Sequence, residues 1–174
     1  MTISVIGLNH KSASIDVREK FSFTTDTSAL LIRRIKKIKN INEVVVVSTC
    51  NRTEIYIDSL SGSRDLLDWL NLENDFKVFS DHMYVHSEED AIEHLFKVCS
   101  GLDSMVVGES EVLGQVKSSY KVALENKTID SKLKRLFEYS FSVAKNVRSN
   151  TDIGGNAISF MYTSILLIKK VFSD

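Results

Sequence analysis

Two cysteines occur among the 174 residues, and their surroundings give them opposite chemistry. Cys50 sits in Ser48-Thr49-Cys50-Asn51-Arg52-Thr53-Glu54, a polar stretch directly after the apolar run Val44-Val45-Val46-Val47. A cysteine inside a strand is usually a small core hydrophobe. One in a polar loop beyond a buried strand is held rigidly at the surface, where a nucleophile can work. Arg52, two residues on, has the charge to stabilise the thiolate, the nucleophilic form. On the residues alone, a reactive Cys50 and a small packed hydrophobe both stay open. Cys99 falls with Leu95 and Leu102 on the apolar stripe of a helix expected over 88–100 and reads as packed and inert. Without a second exposed thiol, dithiol exchange is poorly supported.

His94 is on the same helix but off the centre of its stripe, between Ala91 and Val98. It reads as a surface histidine unless the Cys50 turn lies within hydrogen-bond reach. His82 and His86 are four apart, yet no Cys-x-x-Cys or His-Glu-x-x-His accompanies them, so no metal site is expected. No Gly-x-Gly-x-x-Gly or phosphate-loop pattern occurs, which argues against a dinucleotide bound in the Rossmann mode. The stretch from Gly101 to Gln115 is unusual in its polar content. Ser104, Glu109, Glu111 and Gln115 offer donors and acceptors to a polar ligand. The same stretch also reads as a helix-to-helix loop with Ser110 as N-cap.

These residues need elements to hold them. A 43% hydrophobic and 26% charged composition is that of an ordinary globular domain, and 7 glycines with no proline predict continuous elements with short connections. Residues 2–8 read as a strand, and a helix capped by Asp26 runs to about 38 with Leu30, Leu31, Ile35 and Ile38 on one side. Val44–Val47 reads as a central strand buried on both faces. Residues 53–58 alternate: Ile55 and Ile57 face one way, Glu54, Tyr56 and Asp58 the other, as in a half-exposed strand. The two strands pair as a hairpin with Cys50 and Asn51 at its tip, where Asn51 tolerates a positive φ. A helix over 63–72 and a short strand over 82–86 complete a ferredoxin-like split βαβ order, an α+β fold. A capping box at 87–90 opens a helix ending at Gly101, and helices over 111–125 and 131–149 follow. Asp130 starts the last of these, and Gly154-Gly155 breaks it. A further apolar helix spans 157–172.

The net charge of −1 hides an asymmetry. Residues 1–110 balance at −5, whereas 111–150 balance at +4 through Lys117, Lys121, Lys127, Lys132, Lys134, Arg135, Lys145 and Arg148. Such a stripe suits either a solvated helix face or a phosphate backbone. No apolar run is long enough to cross a bilayer, the N-terminus has no targeting pattern, and two cysteines suit a reducing, cytoplasmic setting.

The motifs Gly7-Leu8-Asn9-His10-Lys11, Ser48 through Glu54, and Ser100-Gly101-Leu102-Asp103-Ser104 through Leu113-Gly114-Gln115 resemble glutamyl-tRNA reductase in order and spacing, down to Arg148–Gly154. The resemblance implies a cysteine thiolate that attacks the ester of glutamyl-tRNA, and an NADPH hydride that reduces the thioester to glutamate-1-semialdehyde, the first step of tetrapyrrole and porphyrin synthesis. It implies Cys50 as nucleophile and His94 as the histidine needed for activity. It assigns Thr49, Asn51, Arg52, Ser104, Glu109, Ser110, Glu111 and Gln115 to the substrate, with Arg52 paired bidentately to the substrate α-carboxylate. Glu109-Ser110-Glu111 stands where the family commonly reads Glu-Pro-Gln, so one carboxylate is extra.

By the same resemblance, residues 1–150 are the catalytic domain and 151–174 a linker toward an NADPH domain outside this chain. The fragment is then expected to form a thioester and not to reduce it, holding neither NADPH nor metal. The semialdehyde aminomutase is the expected pathway partner, and the full-length enzyme a homodimer through a C-terminal domain. Two other classes are weighed against this. A ferredoxin-like RNA-binding module needs stacking aromatics, of which the 53–58 strand offers only Tyr56. A thiol-dependent oxidoreductase needs a resolving thiol.

Overall fold

The computed structural model describes residues 2–73 and 76–154. Four strands, β1 (Thr2–Asn9), β2 (Ile41–Ser48), β3 (Arg52–Ser59) and β4 (Tyr84–Ser87), form one sheet in the order β2-β3-β1-β4. Every pairing is antiparallel. Helices α1 (Ile15–Lys20) and α2 (Thr25–Ile35) link β1 to β2, and α3 (Arg64–Leu72) and α4 (Lys77–Ser80) link β3 to β4. That is the split βαβ order read from the sequence.

The strands' period of two divides the molecule into layers. Ile6, Leu8, Val44, Val46, Ile55 and Ile57 pack on one face against Leu31, Ile32 and Ile35 of α2, Leu66 and Leu70 of α3, and Phe79. Val5, Val45, Val47 and Tyr56 pack on the other against α5 (Glu89–Ser100), α6 (Glu111–Glu125) and α7 (Ser131–Asn150). The helical part is therefore a third layer. This corrects the reading of residues 53–58: every residue of β3 is buried, because the helical layer covers the face that carries Glu54, Tyr56 and Asp58.

Val44–Val47 is buried on both faces as expected, but β2 is an edge strand rather than a central one. Its outer edge is shielded by the α6–α7 loop, where Val44 N donates to Thr128 O at 2.9 Å and Thr128 Oγ1 donates to Val44 O at 3.0 Å. An unpaired edge would otherwise offer itself to another chain.

Several caps differ from the local reading. Thr24, not Asp26, caps α2 by accepting from Thr27 N, and Leu30 is 59% exposed on that helix. Glu88, with φ 52, makes no side-chain cap of α5, and neither Ser110 nor Asp130 uses its side chain to cap α6 or α7. Asn51 does not take the positive φ; among the described non-glycine residues Asn40, Glu88 and Lys127 do. Gly101 does stop α5, with φ 76 and backbone bonds from its own N to Val98 O and from Leu102 N to Lys97 O. That bond pattern is the left-handed helix ending glycine favours.

The start of α7 is capped from a distance. Glu43 on β2, 4% exposed, accepts from Asp130 N at 2.9 Å, Lys132 N at 2.9 Å and Leu133 N at 3.0 Å. It thereby satisfies three donors at a helix end that attracts negative charge. Glu43→Ala is expected to lower unfolding free energy by about 1–3 kcal/mol, read as a shifted denaturant midpoint. A change under a few tenths of a kcal/mol would discount the cap. Past α7 a turn of 3-10 helix spans Asp152–Gly154. The helix expected over 157–172 lies outside the described residues.

Candidate functional site

The site is built on the β2–β3 turn and the sheet face beneath it. Thr49 N donates to Arg52 O at 2.8 Å, and Thr49 Oγ1 accepts from Asn51 N and Arg52 N, each at 3.2 Å. Asn51 O accepts from His10 N at 3.0 Å, which ties the turn to the end of β1. Ser48 Oγ accepts from Phe23 N at 2.9 Å, which ties it to the chain before α2. Cys50 rides on this fixed backbone with its thiol free and exposed. Cys99 is packed in the core, where burial pushes its thiol up to about 12.

Below the turn, the pleat points Arg52, Glu54, Tyr56 and Asp58 to the same face. In register, Glu54 lies between Val47 and Gly7, and Gly7 between Glu54 and Tyr84. Gly7 leaves the gap through which the Tyr84 hydroxyl reaches Glu54 Oε1, at 2.6 Å. A β-carbon at Gly7 would stand 2.7 Å from Glu54 Cγ and 2.9 Å from Thr53 O, so this glycine is required by close approach.

Glu54 is fully buried and accepts four hydrogen bonds. Oε1 takes them from Arg52 Nη1 at 2.8 Å, Tyr84 and His94 Nε2 at 2.8 Å; Oε2 takes one from Tyr56 at 2.7 Å. Burial opposes its ionisation, but the Arg52 charge and the bonds from His94 and Tyr56 outweigh it and hold the carboxyl well below the usual range. Burial and the Glu54 charge push both tyrosine hydroxyls up, so they remain donors. An ionised carboxylate only accepts, so Nε2 of His94 is the donor of this bond.

Arg52 is 1% exposed and bridges the turn to a second carboxylate. Nη1 also reaches Asp103 Oδ2 at 3.1 Å, and Nη2 reaches Asp103 O at 2.5 Å. Asp103 in turn binds Lys11 Nζ at 2.5 Å. Two of the three guanidinium nitrogens are thus engaged by carboxylates and a carbonyl, whereas Nε is buried without a partner among the described residues.

The residues singled out from the sequence fall into two groups. Thr49, Cys50, Asn51 and Arg52 form the turn, and His94 joins them through Glu54. His94 is not the surface histidine suggested by its helix position: it is 11% exposed and packs against Tyr84 and His86. Ser104, next to Asp103, is 7% exposed, and its hydroxyl has no partner among the described residues. Glu111 and Gln115 line a cavity of about 390 Å3 that Ser48 also borders. Ser110 is exposed, and Glu109 contributes a backbone carbonyl to Arg148 Nη2 at 2.5 Å. Glu54, Tyr84, Asp103, Lys11 and Gly7 were missed as site residues. Arg52, Glu54 and Tyr56 at alternate positions are a signal for the first, since they must share a face. Nothing local points to Tyr84 or Asp103. No cluster of metal-ligating side chains occurs among the described residues.

The family model for the glutamyl-tRNAGlu reductase N-terminal domain matches residues 6–151. The chain is 43% identical over 173 residues to a glutamyl-tRNA reductase of Xylella fastidiosa (strain M12), covering 99% of this chain and 39% of that protein. It is 41% identical over 177 residues to the one of Chromohalobacter salexigens, covering 100% and 42%. The solved glutamyl-tRNA reductase from Methanopyrus kandleri superposes with a TM-score of 0.78 at 32% identity, covering 97% of this chain and 39% of that one. The chain spans about two fifths of the length of the relatives it matches.

Proposed function

Because the chain belongs to the glutamyl-tRNA reductase family through its N-terminal domain, we propose that it captures the glutamyl group of glutamyl-tRNA as a thioester on Cys50. In the full-length enzyme this opens the NADPH-dependent route to glutamate-1-semialdehyde and tetrapyrroles. The observation that carries the reading is an exposed free thiol on a turn anchored to β1, β3 and the segment before α2, directly above a buried Arg52–Glu54 pair.

The thiolate of Cys50 attacks the ester carbonyl carbon. A carbon–sulfur bond forms, the bond to the terminal ribose oxygen breaks, and the thiol proton ends on that oxygen. The reaction also corrects the role expected for Arg52. The α-carboxyl is the ester itself, so the carboxylate left for Arg52 is that of the substrate side chain, and its unpartnered Nε is the free donor. Asp103 and the Ser104 hydroxyl then face the substrate ammonium, with Thr49 and Asn51 shaping the turn. His94 moves protons only through Nδ1, its Nε2 being fixed on Glu54. Glu109 and Ser110 stay in the substrate region by resemblance alone.

Phosphates of the RNA are assigned to a groove of about 410 Å3 between α6 and α7, lined by Lys117, Lys145 and Arg148 and no carboxylate. Two other members of the basic stripe are paired with carboxylates: Lys132 with Asp58 and Lys121 with Glu125. All strand pairs among the described residues are antiparallel, so they offer no parallel βαβ crossover for the Rossmann mode of dinucleotide binding. We assign residues 1–150 to acyl capture and 151–174 to a linker. A cytoplasmic setting, the aminomutase as pathway partner and a homodimeric full-length enzyme complete the reading on family grounds. No helix among the described residues is long and apolar enough to cross a membrane.

Incubating the chain with glutamyl-tRNA, quenching in acid and mapping by mass spectrometry is expected to find the glutamyl adduct on the Cys50 peptide. An unmodified Cys50 after excess substrate would sink the proposal.

A further inference from the structure

The motif Gly7-Leu8-Asn9-His10-Lys11 carries the end of β1 into the site. Gly7 makes room beside Glu54 and Lys11 pairs with Asp103, which leaves the task of His10 open. The β1–β3 ladder does not stop at the Asn9–Arg52 pair, because His10 N donates to Asn51 O at 3.0 Å. His10 is thereby tied through its backbone to the residue that follows Cys50. Its neighbours on either side both reach Asp103, Asn9 through Nδ2 at 3.5 Å and Lys11 through Nζ at 2.5 Å. Asn9 also fixes the backbone here, accepting at Oδ1 from Lys11 N and at O from Ala13 N, each at 2.9 Å. The segment is a rigid wall of the site.

The His10 side chain is half-buried, and its Nδ1 is shut from solvent with no hydrogen-bond partner among the described residues. A buried polar nitrogen left unsatisfied costs about 1–3 kcal/mol, so an imidazole is an expensive side chain to place here for packing alone. Burial lowers its pKa below the ordinary value, and the charges of Arg52, Lys11 and Arg18 lower it further against the pull of Asp103. The ring is therefore neutral near pH 7, the form that accepts a proton and can return it.

His94 is placed differently. Its Nε2 is committed to Glu54, which lies two residues beyond Arg52 on β3, about 7 Å further from the turn. Of the two histidines, His10 is the one joined to the turn itself.

We propose that His10 is the proton carrier of the Cys50 step: its imidazole takes the thiol proton and hands it to the departing ribose oxygen. The proposal rests on the thioester reading. As the sulfur–hydrogen bond breaks, the proton bonds to a ring nitrogen of His10 and the electron pair stays on sulfur. The thiolate attacks the ester carbon, the carbon–oxygen bond breaks, and the imidazolium returns its proton to that oxygen. Nδ1 and the thiol are not bonded in the free protein; such contacts commonly tighten only when substrate is seated.

Two esters with different leaving groups provide the test. In glutamyl-tRNA the ribose oxygen needs a proton to depart, whereas glutamate α-p-nitrophenyl ester loses its phenolate without one. Acylation of Cys50 in the 174-residue chain is followed near pH 7 by acid quench and mass spectrometry. His10→Gln is expected to slow acylation by glutamyl-tRNA about a hundredfold or more, within the range of a positioned acid–base group. With the nitrophenyl ester the loss should stay under about tenfold, because a few per cent of a thiol is ionised at this pH without help. His10→Asn, a second polar replacement, should repeat the split, and thermal melts check that each variant folds. Unchanged acylation by glutamyl-tRNA in a folded variant overturns the proton carrier. So does an equal loss with both esters, the mark of a residue that only shapes the turn. Acyl capture on Cys50 survives either result. No acylation of wild type by glutamyl-tRNA overturns the thioester reading, and the proton carrier with it.

Discussion

Replacing Cys50 by serine is expected to lower acyl capture from glutamyl-tRNA by about three orders of magnitude or more, the scale of losing a covalent nucleophile. A serine hydroxyl at this turn lacks the thiol's intrinsic nucleophilicity and stays protonated at neutral pH. Fold stability should move by less than about 0.5 kcal/mol, since the side chain is exposed and the turn is held by Thr49 and Asn51 backbone contacts. Cys99→Ser provides the contrast. It puts a hydroxyl into an apolar core at a cost of about 1–3 kcal/mol, while acyl capture per folded molecule persists. Single-turnover kinetics with both variants, beside thermal melts, separates the two effects. Substantial capture by the Cys50→Ser protein would end the case for this residue.

Glu54→Gln is expected to destabilise the domain by about 3–5 kcal/mol, although it changes one atom type. The substitution leaves Arg52, 1% exposed, without its buried counter-charge, and breaking a buried pair from one side costs on that scale. It also removes a full-strength acceptor from Tyr56, Tyr84 and His94. In a double-mutant cycle, Arg52→Met with Glu54→Gln should cost clearly less than the two single changes added together.

The pH dependence of Glu54 follows from its depressed folded pKa. The stability it contributes is present in full above the unfolded carboxylate value, about 4.3, and drains away as pH falls below it. Asp103, also held low against burial by Lys11 and Arg52, adds to the same acid limb. Unfolding free energy measured from pH 6 down to pH 3 should therefore fall steeply in wild type and less steeply in Glu54→Gln. An equally steep limb in the variant would show that Glu54 is not the group responsible.

How far the residues alone reach can be seen at particular positions. The Val44–Val47 run and the alternation after it located the hairpin, and so put Cys50 at an exposed tip. The apolar stripe over 88–100 likewise identified Cys99 as core. Both are short-range readings, since a run of β-branched residues or a helical stripe is decided by neighbours within a few positions. Glu54 shows where that range ends. Alternation established that it faces away from Ile55 and Ile57, but only the α5–α7 layer determines whether that face meets water or a helix.

The edge position of β2 and the capping of α7 by Glu43 lie beyond local patterning for the same reason. Each depends on backbone groups more than 80 residues away in the chain. So does the convergence of Arg52, Glu54, Tyr84, His94 and Asp103. Strand register sets which side chains share a row, and helix packing sets which loop closes over them, and neither is written in any one segment. Local patterning reached the strands and the longer helices, the exposed thiol and the packed one, but not the short helices α1 and α4. The tertiary structure alone decided what stands beneath that thiol, because a buried charge persists only where distant parts of the chain bring its partners together.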